Sequence, residues 1–308
     1  MFKTSLFILF VVTMNAARAV TTKNLTAITW SHATNSQKLL NEVLASDINF
    51  IEADIVYGYL INDTERILLP IMAHPPANES DISLKSFLTQ IWAFNDARSS
   101  AQQKGVKLDF KSTDVFQVSL DILREMWNDN YEIWINADVY SGPLENTATQ
   151  PVNATIFFQE SKKFANATLS SGWTTRWGPD FTVGSYTTEQ VTNMINGIKN
   201  NQVSNPITFP VRAGIAAQSI ESLSFLYESL NSTNYVTFTI WSSQNDSVNV
   251  ENLRKMIFHF GLDKIYIDVP EDLHNQLRLD DPPNGTSSIF KSFGLGLMLV
   301  LGAIIMMF

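Results

Sequence analysis

The 308-residue chain has no cysteine. That excludes a disulfide framework, a thiolate zinc site and a cysteine nucleophile. Charge is also sparse at 17% of residues, and cations are the minority, 21 Lys and Arg against 30 Asp and Glu. A nucleic-acid partner is therefore not expected. Outside the apolar tail the chain has no Gly-x-Ser-x-Gly elbow, His-Glu-x-x-His pair, Walker loop or dinucleotide fingerprint. It has no solenoid period, no low-complexity linker and no seam between two domains. What is plentiful is apolar: 45% of residues are hydrophobic, with 20 Phe, 8 Tyr and 7 Trp. That is the composition of a core former and not of a disordered or collagen-like chain.

Both ends read as processing signals. Residues 1–19 carry Lys3, an apolar stretch from Leu6 to Met14 and the small-residue pattern Ala17-Arg18-Ala19, the layout of a secretory signal peptide. Residues 285–308 close on an apolar run from Phe293 to Met307 with no basic tail. The run is short for a membrane span of about 20 residues. With the small residues Asn284, Gly285 and Thr286 and a polar spacer it has the form of a glycosylphosphatidylinositol (GPI) attachment signal, anchored at Asn284. A retained single-pass transmembrane anchor is the alternative. Residues 20–284 remain, the size of one barrel of about 250 residues. The removed ends take Lys3, Arg18 and Lys291 and no acid, leaving 18 basic against 30 acidic residues. Eight Asn-x-Ser/Thr sequons fit an exported glycoprotein: Asn24, Asn62, Asn78, Asn153, Asn166, Asn231 and Asn245 as glycan sites, with Asn284 reserved for the anchor.

Eight short β-branched and aromatic runs are predicted as strands: Ala27 to Trp30, Phe50 to Ile55, Val106 to Phe110, Ile133 to Ala137, Thr168 to Trp173, Ile207 to Val211, Val236 to Trp241 and Ile265 to Val269. Helical spacing separates most of them, at Gln37 to Leu44, Leu84 to Asp96, Val115 to Trp127, Thr187 to Ile198, Ile220 to Leu230 and Val250 to Phe260. Such alternation predicts a parallel sheet with helices outside, an α/β fold of the (β/α)8 TIM-barrel kind. Ile67 to Ala73 breaks the pattern and reads as a hairpin excursion.

Polar residues that interrupt these strands carry the chemistry. Glu52 and Asp54 are two apart on a strand and share a face. Inside a barrel they would need a cation, and carboxylate oxygens suit Mg²⁺ or Ca²⁺; on a half-exposed strand they are simply solvated. Lys107, Asp109 and Lys111 share one side of the next strand, with Leu108 and Phe110 on the other. On an open sheet this is polar-out packing. In a barrel it supplies Asp109 as a third ligand and Lys111 as a phosphate contact at the C-terminal mouth. His32 and His74 close strands, and two imidazoles flanking a metal-held phosphate suit acid–base displacement of an alkoxide. His259 and His274 fall in helical stretches and read as packing or surface residues. Trp173, Trp177, Arg212 and Trp241 end later strands, either as core or as pocket wall, where tryptophan suits a quaternary ammonium group.

The order His32, Glu52-x-Asp54, His74 and Lys107-Leu108-Asp109-Phe110-Lys111 resembles the motif series of glycerophosphodiester phosphodiesterase-like barrels. More closely, Trp30-Ser31-His32-Ala33, Ile51-Glu52-Ala53-Asp54, Met72-Ala73-His74-Pro75-Pro76, Lys104 to Lys111 and Trp134-Ile135-Asn136-Ala137-Asp138 resemble the menorin family of exported or membrane-anchored proteins. The resemblance implies a phospholipase C-like (PLC-like) barrel. Its divalent metal would sit on Glu52, Asp54 and Asp109, with His32, His74 and Lys111 in catalytic positions. Substrate-contact candidates are Lys107, Asn136, Asp138, Trp173, Arg212 and Trp241. The expected function is an extracellular, membrane-anchored hydrolase of a small or lipid-derived phosphodiester at the outer leaflet. Relatives with roles in tissue or neuronal patterning imply the alternative, an inactive cell-surface binding protein or co-receptor with a protein partner. Two places depart from the phosphodiesterase pattern: Ala33 stands where Arg usually follows the first His, and Pro75 where Asp follows the second.

Overall fold

In the computed structural model, which describes residues 23–144, 148–178 and 180–283, the chain opens with a 3-10 turn, Leu25–Ala27, which takes the first residue of the strand predicted over Ala27 to Trp30. Asn24 redirects it: its Oδ1 accepts from the Thr26 N–H at 3.1 Å and the Thr26 hydroxyl at 2.7 Å. Pairing starts only at β1 (Trp30–Ser31). The order then runs α1 (Gln37–Leu44), β2 (Phe50–Leu60), β3 (Leu69–Met72), β4 (Glu79–Ser80), α2 (Leu84–Asp96), β5 (Gly105–Phe110), α3 (Thr113–Met126), β6 (Ile133–Ser141), α4 (Ala154–Ser161), β7 (Thr168–Thr174), α5 (Thr188–Asn200), β8 (Ile207–Arg212), α6 (Ala213–Ala216), α7 (Ile220–Leu230), β9 (Val236–Trp241), α8 (Val250–Phe260), β10 (Ile265–Asp268) and α9 (Glu271–Gln276). Hydroxyl caps start several helices: Ser36, Ser83 and Ser112 each accept from a first-turn N–H, and Thr187 with Gln190 forms a reciprocal capping box.

Eight strands pair in parallel in the order β1-β2-β5-β6-β7-β8-β9-β10, giving a nearly closed (β/α)8 TIM barrel. The expected hairpin excursion is β3, antiparallel to β2. β4 adds a short parallel contact to the same strand. Among the described residues no backbone ladder joins β10 to β1. The seam is closed by side chains and one loop bond: the Leu25 N–H donates to the Leu262 carbonyl at 2.9 Å, Trp30 meets Tyr266 edge-on, and His32 bonds Asp268.

Strand alternation separates two interiors. Ile51, Ala53 and Ile55 of β2 and Val106, Leu108 and Phe110 of β5 face the helices in the main apolar layer. Each large side chain fully buried there contributes about 1.5–3 kcal/mol. The alternate residues line the barrel. At its base Trp30, Phe50, Trp134 and Tyr266 form a ring cluster with centroids 4.5–6.1 Å apart, with Leu25 packed against it. Gly105 makes this layer possible, because a Cβ there would come within 2.2 Å of the Phe50 ring. Above the aromatic floor the lining turns polar.

Candidate functional site

Register assembles the site. In the β2–β5 ladder Glu52 pairs with Lys107 and Asp54 with Asp109, and the β5–β6 ladder sets Asp109 beside Asn136. Glu52 and Asp54 are only 2% and 3% exposed, so the half-exposed, solvated reading of this strand does not apply. One oxygen from each of Glu52, Asp54 and Asp109 lies within 4.8 Å of the others. Three carboxylates this close, two of them buried and the third nearly so, need positive charge. Lys111 provides it, with Nζ 2.5 Å from both Asp54 Oδ1 and Asp109 Oδ2. Those carboxylates together with Glu52 overcome the burial that opposes the ammonium charge and raise its pKa.

Each acid has a further neutral donor. Asn136 Nδ2 donates to Asp109 Oδ1 at 2.6 Å, and Ser170 donates to Asn136 Oδ1. The turn after β1 clamps the other two. The Ala33 N–H donates to Glu52 Oε2 at 2.7 Å, while Asn35 donates through Nδ2 to Asp54 Oδ2 at 2.7 Å and accepts the Asp54 N–H at 2.9 Å. Ala33 reaches this position with φ at +52°, in the left-handed region.

The acids differ electrostatically. Burial, reinforced by Asp54, raises the Glu52 carboxyl to about 7. Burial pushes Asp109 the same way, but Lys111 and Lys107 beside it outweigh that and hold it low. His32 lies on the other flank, its side chain 55% exposed, with Nδ1 2.9 Å from Asp268 Oδ2 and 3.8 Å from Glu52 Oε2. Partial desolvation of the ring among the site's neighbours disfavours its charge, yet the Asp268 hydrogen bond and Glu52 raise its pKa to about 9. The Asp268 bond orients the ring through Nδ1 and leaves Nε2 for chemistry.

His74 makes none of these side-chain bonds, but it directly follows Ala73, whose N–H donates to the Asp54 carbonyl at 3.0 Å. It follows β3 on the exposed rim, with Nδ1 2.7 Å from the Pro75 carbonyl. Asp138 lies beyond Asn136 on β6, and burial, then Asp109, raises its carboxyl to about 7. Lys107 is buried in the β2–β5 register. Arg212 is committed to Asp246 through two 2.8 Å bonds and sits 4.9 Å over the Trp241 ring, so it braces the mouth. Trp173 departs from its expected place as a pocket wall. It points away from the lumen into the apolar layer against Tyr186 and Phe209, because its neighbour Gly172 holds the inward position on β7. Trp177 is buried on Gly214 and donates to the Ser247 carbonyl, tying mouth loops together.

Asn35 and Asp268 are site residues that sequence reading missed. Asp268 carried a usable signal, an acid ending a strand of Ile and Tyr. Asn35 carried none, since it lies in a loop of undistinguished composition. The seven sequon asparagines within the described residues are all exposed. Asn284, the signal segment and the apolar tail lie outside the described residues, and among those described no helix is long and apolar enough to cross a membrane.

The donor set is entirely oxygen, as a hard divalent cation such as Mg²⁺ or Ca²⁺ requires, and with one oxygen of each acid within 4.8 Å of the others the three could hold such an ion. Comparison with known proteins agrees with the motif reading. The model of the menorin N-terminal domain matches residues 24–274. Human protein FAM151B is 34% identical over 261 residues, covering 84% of this chain and 88% of that protein. With the barrel, the register-paired acids and this coverage together, the chain belongs to the menorin family.

Proposed function

We propose that this protein is a divalent-metal-dependent phosphodiesterase acting on a small or lipid-derived phosphodiester outside the cell. The observation that carries the reading is the convergence of Glu52, Asp54 and Asp109 beside Lys111 and the His32–Asp268 pair at one end of the barrel. Glu52, Asp54 and Asp109 would hold Mg²⁺ or Ca²⁺, which when bound neutralises charge on a phosphoryl oxygen. Lys111 shares that task as a fixed cation. With the Glu52 charge offset by a bound cation, the carboxylate no longer holds the His32 ring protonated, and the neutral ring, oriented by Asp268, takes the proton of the attacking water or hydroxyl at Nε2. Lys107 and Asn136 keep the acids in place. His74, on the rim, meets the part of the substrate that extends out of the lumen. An acidic surface disfavours a polyanionic substrate. A signal peptide, exposed sequons and a GPI anchor at Asn284 would place the barrel at the outer leaflet, where lipid-derived diesters are at hand.

A second reading, a glycosylated cell-surface binding protein, is favoured by two observations. Lys111 already neutralises two of the acids, and the sequon at Asn78 stands exposed four residues past His74, where a glycan would crowd the rim. Turnover decides between them. Bis(p-nitrophenyl) phosphate should be hydrolysed with Mg²⁺ or Ca²⁺, and chelation or His32→Ala should each lower the rate at least about 100-fold. Activity that survives both, or no activity with any divalent cation, removes the phosphodiesterase reading.

A further inference from the structure

A phosphodiester displacement needs a proton for the leaving oxygen; His32 has been given the attacking side, and His74 is exposed with its Nδ1 on the Pro75 carbonyl. β6 brings another group. Its alternation puts Asn136 and Asp138 on the lumen side, and Asp138 pairs in register with Gly172 of β7. Gly172 is a built notch: a Cβ there would stand 2.3 Å from Asp138 Oδ1 and 3.0 Å from Pro210. Only a residue without a side chain lets the carboxyl lie across β7. Among the described residues that carboxyl has no hydrogen-bond or ion-pair partner, unlike every other acid of the lumen. The charged and titratable groups around it are Asp109, Lys107 and Lys111 from the β5 side and Tyr186 from the loop before α5. β6 lies across β5 and β2 from the strand that ends in His32, so the acid triad stands between the two groups.

We propose that Asp138 is the proton donor to the leaving group, paired across the lumen with His32. The inference deepens the phosphodiesterase reading and rests on it. In the step, the incoming oxygen bonds to phosphorus and gives its proton to His32. The bond from phosphorus to the leaving oxygen breaks with its electron pair on that oxygen, and the Asp138 carboxyl transfers its proton there. Solvent then reprotonates Asp138. Its raised pKa keeps a large share of the carboxyl protonated up to about pH 7. Lys111 and Lys107 pull the other way but do not outweigh burial and the Asp109 charge.

The test uses methyl phenyl phosphate and methyl p-nitrophenyl phosphate, which share a shape and differ in the basicity of the leaving phenol. Asp138→Asn should lose about 100-fold on the phenyl ester and under about 5-fold on the nitrophenyl ester, whose leaving group needs no proton. The wild-type advantage on the phenyl ester should shrink as pH rises through about 7, because a carboxylate has no proton to give. Gly172→Ala, which keeps the acid but displaces it, should show the same leaving-group signature in milder form. Urea denaturation checks that both variants fold. Equal losses on the two esters, or none, overturn the assignment while the phosphodiesterase reading stands. Wild-type protein inert toward both esters with either cation overturns the two together.

Discussion

Asn35 shows how much a neutral side chain contributes to a charged site. It grips Asp54 at both the carboxylate and the backbone N–H, so one amide fixes the rotamer of the acid and the path of β2 beneath it. Asn35→Ala would leave a buried carboxylate oxygen short of a donor, which costs about 1–3 kcal/mol. It should also weaken Mg²⁺ or Ca²⁺ binding about 10–100-fold, as loss of a group that orients a ligand does. Urea unfolding and calorimetric titration with each cation check this; unchanged affinity would show that Asp54 needs no such support. At the same scale, Ala33 accounts for one departure from the phosphodiesterase pattern. Where an arginine side chain is expected, the chain offers a backbone N–H to Glu52. Sequence comparison registers only the missing side chain.

β2 and β5 form the element pair on which the site depends, because a shift of their register by one residue would carry every acid to the helix side. Two features pin that register. The apolar outward face repeats without interruption, and Phe50 fills the space above Gly105. Gly105→Ala would drive a methyl into the Phe50 ring, and overpacking of this kind costs about 1–3 kcal/mol. The unfolding free energy from urea denaturation should fall by that amount, with faster amide exchange concentrated in β2 and β5. A variant as stable as the parent would mean the aromatic floor can shift freely. The predicted helices at α1, α2, α7 and α8 agree with the observed ones to the residue, since serine and asparagine caps and apolar spacing are local signals. Pairing begins at Trp30 and not at the predicted Ala27, because the Asn24 cap competes with extension in a way that composition does not reveal.

For the whole molecule, a divalent cation held by Glu52, Asp54 and Asp109 as proposed would favour the folded state, in which these acids meet. At a concentration about 100-fold above Kd, binding adds about 2.7 kcal/mol. For a chain of this length that raises Tm by roughly 5–10 °C. The increase should vanish in the Glu52→Gln, Asp109→Asn double variant; an equal increase there would place the cation elsewhere on the acidic surface. The sequence by itself determined the barrel, the sharing of faces by Glu52 with Asp54 and Lys107 with Asp109, and the strand-end position of His32. Periodicities of two and 3.6 and end caps act between near neighbours, so they are written locally. Tertiary structure alone decided which face was the inside. On β7 no charged residue marks the lumen, so the sequence leaves Trp173 open to both readings, wall and core, and packing against Tyr186 and Phe209 puts it in the core. It also decided the meetings of His32 with Asp268, 236 positions away, and of Asp138 with Gly172. Closing a barrel joins strands that are remote in sequence, and no local pattern carries information about which side chain will stand across the seam.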